Sequence, residues 1–320
     1  MLQYLVILLD DTSTSFCHYE NSMKERCLIP LEILKLGIRF GMKENLMIQF
    51  VYPDYELPTD YKSAIESIDH SKIVSYSCVD KQAVEEADAL IIENWAEIKT
   101  DNLNKNKCYV FRTTKNELFG KHLLLNDAIS IAARLNVVIT DIHTFNHDDF
   151  EYYKQILLCM SDHIEQLYVN GMSPQLNLLT DRMLLSQMNN CGAGDTTITL
   201  APNGKFYVCP AFYYEDTDNS VGDIEHGLDI KNKQLYRLKY APICRHCDAW
   251  QCKRCIWLNR KTTLEVNTPS HEQCVVAHLE RNASRELLHS IRKHGTFLPE
   301  QEEIKELDYL DPFDIRDTWQ

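Results

Sequence analysis

Residues 244–255 read CRHCDAWQCKRC, which is two CxxC units separated by four residues. The spacing within a CxxC unit lets both thiolates of one tight turn reach the same metal ion or the same edge of a metal cluster. Two such units so close together are a strong signal of metal binding. This stretch therefore predicts that the surrounding part of the chain folds around metal.

Further cysteines extend the pattern on both sides of this stretch. Cys191, Gly204 and Cys209 precede the CxxC units, and Cys274 follows them. Seven thiols then fall within residues 191–274, which is too many for ordinary core packing. Spacing alone leaves two interpretations open. Either the four CxxC cysteines form one tetrahedral zinc site and the other three are small buried residues, or the cysteines hold iron-sulfur clusters.

A β-hairpin is predicted within the same region. Two β-prone runs, residues 196–200 and 205–209, flank the sequence Ala-Pro-Asn-Gly. Asn203-Gly204 is a strong hairpin turn because both residues adopt positive φ readily. We therefore expect a hairpin that carries Cys209 at its far end.

Composition places the chain in a reducing compartment and excludes some partners. The apolar run at residues 4–9 is too short for a signal sequence or a membrane span, so we expect a cytoplasmic protein. Cytosolic thiols stay reduced, which favours metal ligation over disulfides for the 12 cysteines. The net charge of -14 opposes binding to nucleic acid or to an anionic membrane.

The first 180 residues alternate short β-rich apolar runs with longer segments of helical period. Such alternation is typical of βα units and of a parallel sheet. Strands are predicted at residues 4–9, 46–52, 73–77, 89–93, 108–112, 137–141 and 175–179. Helices are predicted at about residues 28–43, 148–169 and 275–293.

The order of the cysteines resembles a known family. A cysteine, a Gly-x4-Cys unit, a CxxC unit, a second cysteine pair and a final cysteine are similar to the SPASM domain of radical-SAM peptide and protein maturases. The resemblance includes the Pro202-Asn203-Gly204 turn and the Cys209-Pro210 step. The central block is one residue shorter at each of two steps than in that family. The resemblance implies two 4Fe-4S clusters rather than zinc.

Carried over position by position, the resemblance divides the seven cysteines into two ligand sets. The first cluster is implied to have Cys191, Cys209 and Cys255, and the second Cys244, Cys247, Cys252 and Cys274. Some family members have a further cysteine shortly before the first position, but this chain has Leu185 and Ser186 there. With three thiolates only, the first cluster would have one open iron, be a smaller cluster, or be absent. We hypothesise that a substrate cysteine binds at that iron.

The resemblance also implies an architecture in three parts. Residues 1–185 would form a partial (βα) barrel of radical-SAM type, residues 186–278 a small SPASM-like α+β metal domain, and residues 279–320 a C-terminal helix with an acidic tail. The CxxxCxxC motif that binds the S-adenosylmethionine-cleaving cluster is missing, because only Cys17 and Cys27 follow the first strand. The chain is therefore not expected to cleave S-adenosylmethionine.

A chain with this architecture and without that motif is similar to the CXXX repeat peptide maturases. The similarity implies a function in maturing a ribosomally made, cysteine-repeat precursor peptide, either as an electron relay or as a docking and modifying protein. It also implies a partner maturation protein. The alternative is a non-catalytic peptide-binding scaffold, stabilised by zinc or clusters, that serves a partner enzyme.

The sequence identifies no catalytic residue, and its candidates lie at the end of the first strand. Asp11, Cys17 and His18 lie where α/β folds place their sites, and a thiol beside an imidazole and carboxylates can act as a nucleophile or a metal ligand. The alternative is that residues 10–12 only turn the chain and that Cys17 is buried.

Overall fold

A single eight-stranded sheet organises the computed structural model, which describes residues 2–95, 98 and 103–305. Its order is β6-β5-β4-β3-β2-β1-β7-β8, and all neighbours are parallel except β7 and β8. This mostly parallel sheet with helical connections confirms the predicted α/β class. The strands, with a small separate pair β9 and β10, are β1 (Tyr4–Leu8), β2 (Met47–Val51), β3 (Ser71–Ser75), β4 (Ala89–Ile92), β5 (Cys108–Thr113), β6 (Arg134–Ile139), β7 (Thr197–Leu200), β8 (Phe206–Tyr207), β9 (Gly222–Asp223) and β10 (Gly227–Leu228).

Helices follow most of the parallel strands and cover one face of the sheet. They are α1 (Leu31–Lys43), α2 (Thr59–Ile65), α3 (Lys81–Glu86), α4 (Lys115–Ile129), α5 (His147–Val169), α6 (Thr180–Leu184), α7 (Pro210–Glu215), α8 (Ile256–Thr263) and α9 (His271–Arg292). The three predicted helices are present as α1, α5 and α9. The long helices have side-chain caps: Asn146 and Asp149 form a capping box on α5, and Ser270 caps α9.

The two faces of the sheet bury different partners. Along β1, Leu5 and Ile7 belong to the core formed with the helices, whereas Val6 and Leu8 face the opposite side. This alternation follows from the two-residue period of a strand. On the second side, the apolar core is completed by residues of the cysteine-rich region, including Ile256. The cysteine-rich region is thus packed directly on the sheet.

The predicted hairpin is confirmed and extends the main sheet. Strand β7 pairs in parallel with β1, with Tyr4 beside Thr197 and Ile7 beside Leu200. Strand β8 then returns antiparallel to β7 through a turn in which Gly204 has φ +78°. The sheet therefore crosses the predicted boundary at residue 185, and the division into three parts remains a prediction.

The prediction of a seventh strand at residues 175–179 is wrong. Only Leu176 makes a single parallel bridge, to Leu135. The next residue, Asn177, uses its side chain to bond the backbone of Val137, accepting from N at 2.7 Å and donating to O at 3.0 Å. Because a side chain replaces the main chain in these bonds, the ladder ends there.

Two further sequence expectations concern the chain end and membranes. The predicted acidic tail begins near residue 298, and residues 306–320 of it lie outside the described residues. No helix in the described part of the chain is both long enough and apolar enough to cross a bilayer.

A buried carboxyl group lies between α9 and the cysteine-rich region. Tyr153 Oη donates to Glu280 Oε1 at 2.9 Å, and Gln251 Nε2 lies 3.4 Å from Glu280 Oε2. Burial raises the pKa of the Glu280 carboxyl to about 7, although these two hydrogen bonds act in the opposite direction. The folded state is therefore more stable while the Glu280 carboxyl is protonated.

This pKa predicts a specific pH dependence. The raised pKa stabilises the fold below the ordinary pKa of 4.5, and that contribution is lost as the pH rises through about 7. Glu280→Gln should therefore gain stability over the wild type between pH 5 and pH 8, on the order of 2–3 kcal/mol. Gln251 Oε1 is buried without a partner in the described structure and can accept from the new amide.

Urea unfolding at both pH values measures this difference. Glu286→Gln is the matched control, because Glu286 is on the same helix but its side chain is 60% exposed. If both variants follow the wild-type pH profile, the assignment of Glu280 is wrong.

Candidate metal centres and the cavity beside them

Four cysteines surround one small cavity. This second cysteine group lines a cavity of about 40 Å³ and consists of Cys244, Cys247, Cys252 and Cys274. The backbone N–H of Ala249 donates to Cys247 Sγ, and that of Arg254 donates to Cys252 Sγ, each at 3.4 Å. Such hydrogen bonds favour the charged thiolate, which is the form that binds metal.

Without metal, these thiols would be held neutral. Burial, together with the nearby Cys244 and Cys247, raises the pKa of Cys252 to about 12. Burial likewise raises the pKa of Cys244 to about 11. A metal centre offsets this cost, because its positive charge replaces the thiol protons.

A buried guanidinium group also lines this cavity. Arg254 is 3% exposed, and its Nη2 donates to Tyr236 O at 2.5 Å. Its Nε and Nη1 have no hydrogen-bond partner among the described residues. A buried cation without an anion is costly. A metal centre with four thiolates carries net negative charge, so the residues present fit such a group.

Helix α9 contributes a histidine to the same cavity. His278 follows Cys274 by one helical turn, and its Nε2 lies 3.4 Å from Cys247 Sγ. A hydrogen bond to a ligand sulfur is one of the means by which proteins adjust the reduction potential of an iron-sulfur cluster. His278 was not singled out from the sequence.

A first cysteine group begins on the side of the sheet that Val6 and Leu8 face, where Cys209 packs against the apolar core. It consists of Cys191, Cys209 and Cys255. Burial raises the pKa of the Cys209 thiol, and like charge on Cys255 and Cys191 adds to this effect. The backbone N–H of Leu258 lies 3.5 Å from Cys255 Sγ, and Cys209 stands at the start of α7. Cys209 and Cys255 are partly buried, Cys191 is exposed, and the three thiols interact electrostatically.

One further thiol meets this first group. The pKa of Cys17 is raised by burial, then by like charge on Cys191 and Cys255. Cys17 therefore lies within electrostatic reach of two members of the first group, although it belongs to the loop after β1. The role of Cys17 as a nucleophile or a metal ligand stays a prediction.

The structure brings the seven cysteines together in the same two sets that the resemblance implies. Their role as ligands remains a prediction. Among the described residues, no group of three or more His, Cys, Asp or Glu side chains is arranged to hold a single metal ion.

A large cavity opens at the carboxyl ends of the parallel strands. This strand-end cavity has a volume of about 960 Å³ and is closed on one side by Trp257 and Lys261 of α8. None of its described lining residues is a cysteine. The ends of β1 to β6 contribute in turn His18, Asp54, Ser77, Glu93, Arg112 and Asp141.

Arg112 fixes the loop after β1 in this cavity. Its Nε donates to Cys17 O at 2.8 Å, its Nη2 donates to Tyr19 O at 2.5 Å, and its Nη1 pairs with Glu93. Burial, together with the charge of Arg112, lowers the pKa of His18 to about 4. His18 is therefore a neutral imidazole at neutral pH that faces the cavity.

Asp11, the third weak candidate, is not among the residues that line the cavity. Tyr213 Oη donates to its carboxylate, and burial raises the pKa of Asp11. The preceding Asp10 accepts from Thr12 N and from Tyr55 Oη, each at 2.8 Å. Residues 10–12 thus turn the chain, and the catalytic candidates at this strand end stay a prediction.

Comparison with known proteins supports the fold. No family model and no curated protein matches the sequence. Solved structures that match include native anSMEcpe with bound AdoMet and Cp18Cys peptide, with 13% identity, a TM-score of 0.59, and 92% of this chain and 100% of that chain covered. Native anSMEcpe with bound AdoMet (13%, 0.60, 90% and 99%) and with bound AdoMet and Kp18Cys peptide (14%, 0.57, 91% and 99%) also match. At such identities the likeness shows the fold alone.

Proposed function

We propose that this chain matures a cysteine-containing peptide bound in the strand-end cavity. We further propose that iron-sulfur clusters in its two cysteine groups relay electrons to or from that peptide. The observation that carries the proposal is the loop after β1, which lines the cavity with His18 and meets the first cysteine group with Cys17. An iron-sulfur cluster supplies one-electron transfer when it is bound.

The shape and chemistry of the cavity support a peptide as the occupant. Its volume lies near the upper end of the range typical of small-ligand sites. Hydroxyl groups and charges of both signs line it, which suits backbone amides and polar side chains. The structural neighbour anSMEcpe has a peptide and AdoMet bound.

Arg112 and His18 have separate tasks in this proposal. Arg112 holds the loop by three contacts and orients it between the cavity and the first cysteine group. His18 stays neutral and can exchange hydrogen bonds with a bound peptide. Trp257 supplies an apolar wall beside them.

Reductive cleavage of S-adenosylmethionine is not expected. The cleaving cluster needs three close thiolates at the cavity, and no described lining residue is a cysteine. The reconstituted, dithionite-reduced protein should therefore form no 5'-deoxyadenosine above the level of a protein-free control. Formation of 5'-deoxyadenosine by the wild type, measured by liquid chromatography, would contradict this prediction.

The experiment that tests the function combines spectroscopy with mass spectrometry. Anaerobically purified protein should be brown, absorb near 400 nm, contain iron and sulfide, and change the mass of a cysteine-repeat peptide. A peptide with every cysteine replaced by serine is the matched control. A colourless zinc protein that binds both peptides and changes neither would support the scaffold alternative instead.

A further inference from the structure

The loop after β1 is packed against the elements that carry the first cysteine group. Phe16 belongs to the apolar core that also contains Cys209, Ala193 and Ile256. Ala193 lies two residues after Cys191, and Ile256 directly follows Cys255. The neighbours of all four cysteines therefore share one apolar core.

An aromatic contact fixes the other end of this short segment. The ring of Tyr19 stacks on that of Tyr214 with centroids 5.6 Å apart and an angle of 22°. Tyr214 belongs to α7, the helix that starts at Cys209. Phe16 also meets Tyr19 edge-on at 5.8 Å. Contacts on both sides of Cys17 thus hold residues 16–19 against the elements that carry the first cysteine group.

The backbone of the segment is equally constrained. Arg112 is 7% exposed and donates hydrogen bonds to the carbonyl oxygens of Cys17 and Tyr19. These carbonyls point toward β5, so the loop is anchored between the sheet and the cysteine-rich region. The thiol of Cys17 lies within reach of the charges on Cys191 and Cys255, and the thiol of Cys209 lies within reach of Cys17.

We propose that Cys17 is the fourth protein ligand of the first cluster. Four thiols whose neighbouring residues share one apolar core match the ligand number of a 4Fe-4S cluster. Ligation forms an Fe–S bond and releases the proton of the Cys17 thiol to solvent. This inference rests on the proposed presence of clusters. It closes the iron that the three carried-over ligands would leave open to a substrate cysteine.

Cys17→Ser tests this proposal by spectroscopy of the purified protein. The variant should lose the electron paramagnetic resonance signal of one reduced cluster and about half of the iron, as Cys191→Ala should. If a three-ligand cluster survives, mild oxidation should convert it to a 3Fe-4S form with its own signal. A cysteine peptide should then perturb the variant and leave the wild type unchanged.

Two variants serve as controls. Cys27→Ser removes an exposed thiol from the same loop region, and Phe16→Leu changes the packing of the segment without removing a ligand. Both should keep the full iron content and both signals. In Cys17→Ser, persistence of the second cluster's signal will show that the chain is folded.

The outcomes separate this inference from the proposed function. A wild type that binds no iron-sulfur cluster would overturn both. A wild type with two clusters and a Cys17→Ser variant with the same iron content and spectra would overturn the role of Cys17 alone. Iron loss in Phe16→Leu equal to that in Cys17→Ser would assign the segment a packing role and also overturn ligation.

Discussion

Cys247→Ala is expected to remove about half of the iron and to unfold much of the cysteine-rich region. Residues 229–255 contain only short 3-10 turns and loops, so little regular structure holds this segment without its ligands. Loss of one ligand would also leave the neighbouring thiols and the Arg254 guanidinium buried without compensation. Iron and sulfide analysis with thermal unfolding measures both effects.

Cys159→Ala is the matched control for this loss. Cys159 lies in α5, outside both cysteine groups, and is partly buried. It should retain all of the iron and melt close to the wild type. Full iron content and an unchanged melting temperature in Cys247→Ala would show that the second cysteine group does not bind metal.

Asp248→Asn is expected to destabilise the protein by about 3–5 kcal/mol, because it removes the anion from two buried guanidinium groups. Arg281 donates to the carboxylate through Nε at 3.0 Å and through Nη2 at 2.7 Å. Arg182 Nη2 lies 3.6 Å from the same carboxylate. Their side chains are 2% and 7% exposed, so water cannot replace the lost charge.

This pair of contacts ties the loop after Cys247 to α9 and α6. Urea unfolding followed by tryptophan fluorescence measures the effect, since the guanidinium of Arg182 lies 3.9 Å from the ring centre of Trp250. Asp229→Asn is the control, because the pair that Asp229 forms with Lys231 is exposed and such pairs contribute little. Equal unfolding midpoints for the two variants would refute the structural role of Asp248.

The parts of the fold with strong periodicity could be predicted from the sequence. Six of seven predicted parallel strands are present, because each is a short apolar run between helical segments. Asn203-Gly204 correctly predicted the hairpin, since its turn needs a residue with positive φ. The prediction of a strand at residues 175–179 was wrong because the side chain of Asn177, and not a main-chain group, bonds the backbone of Val137.

The candidate site was only partly predictable, for a physical reason. The spacing of cysteines between residues 191 and 274 indicated metal binding, because nearby ligands leave a local pattern. Strands β2 to β6 lie between Cys17 and Cys191 in the sequence, so no local pattern connects the two cysteines. Arg254 lies inside a CxxC unit, but its burial and unpaired atoms depend on the tertiary fold.

The pairing of β7 with β1 has a consequence for the newly made chain. Strand β1 is entirely apolar from Leu5 to Leu8, and the hairpin that covers its free edge belongs to the cysteine-rich region. If that region were delayed in folding, an uncovered, flat, hydrophobic edge would be available for pairing with another molecule. If the proposed clusters are required for that region to fold, iron supply during synthesis should govern aggregation, and iron-starved cells should deposit this protein in inclusion bodies.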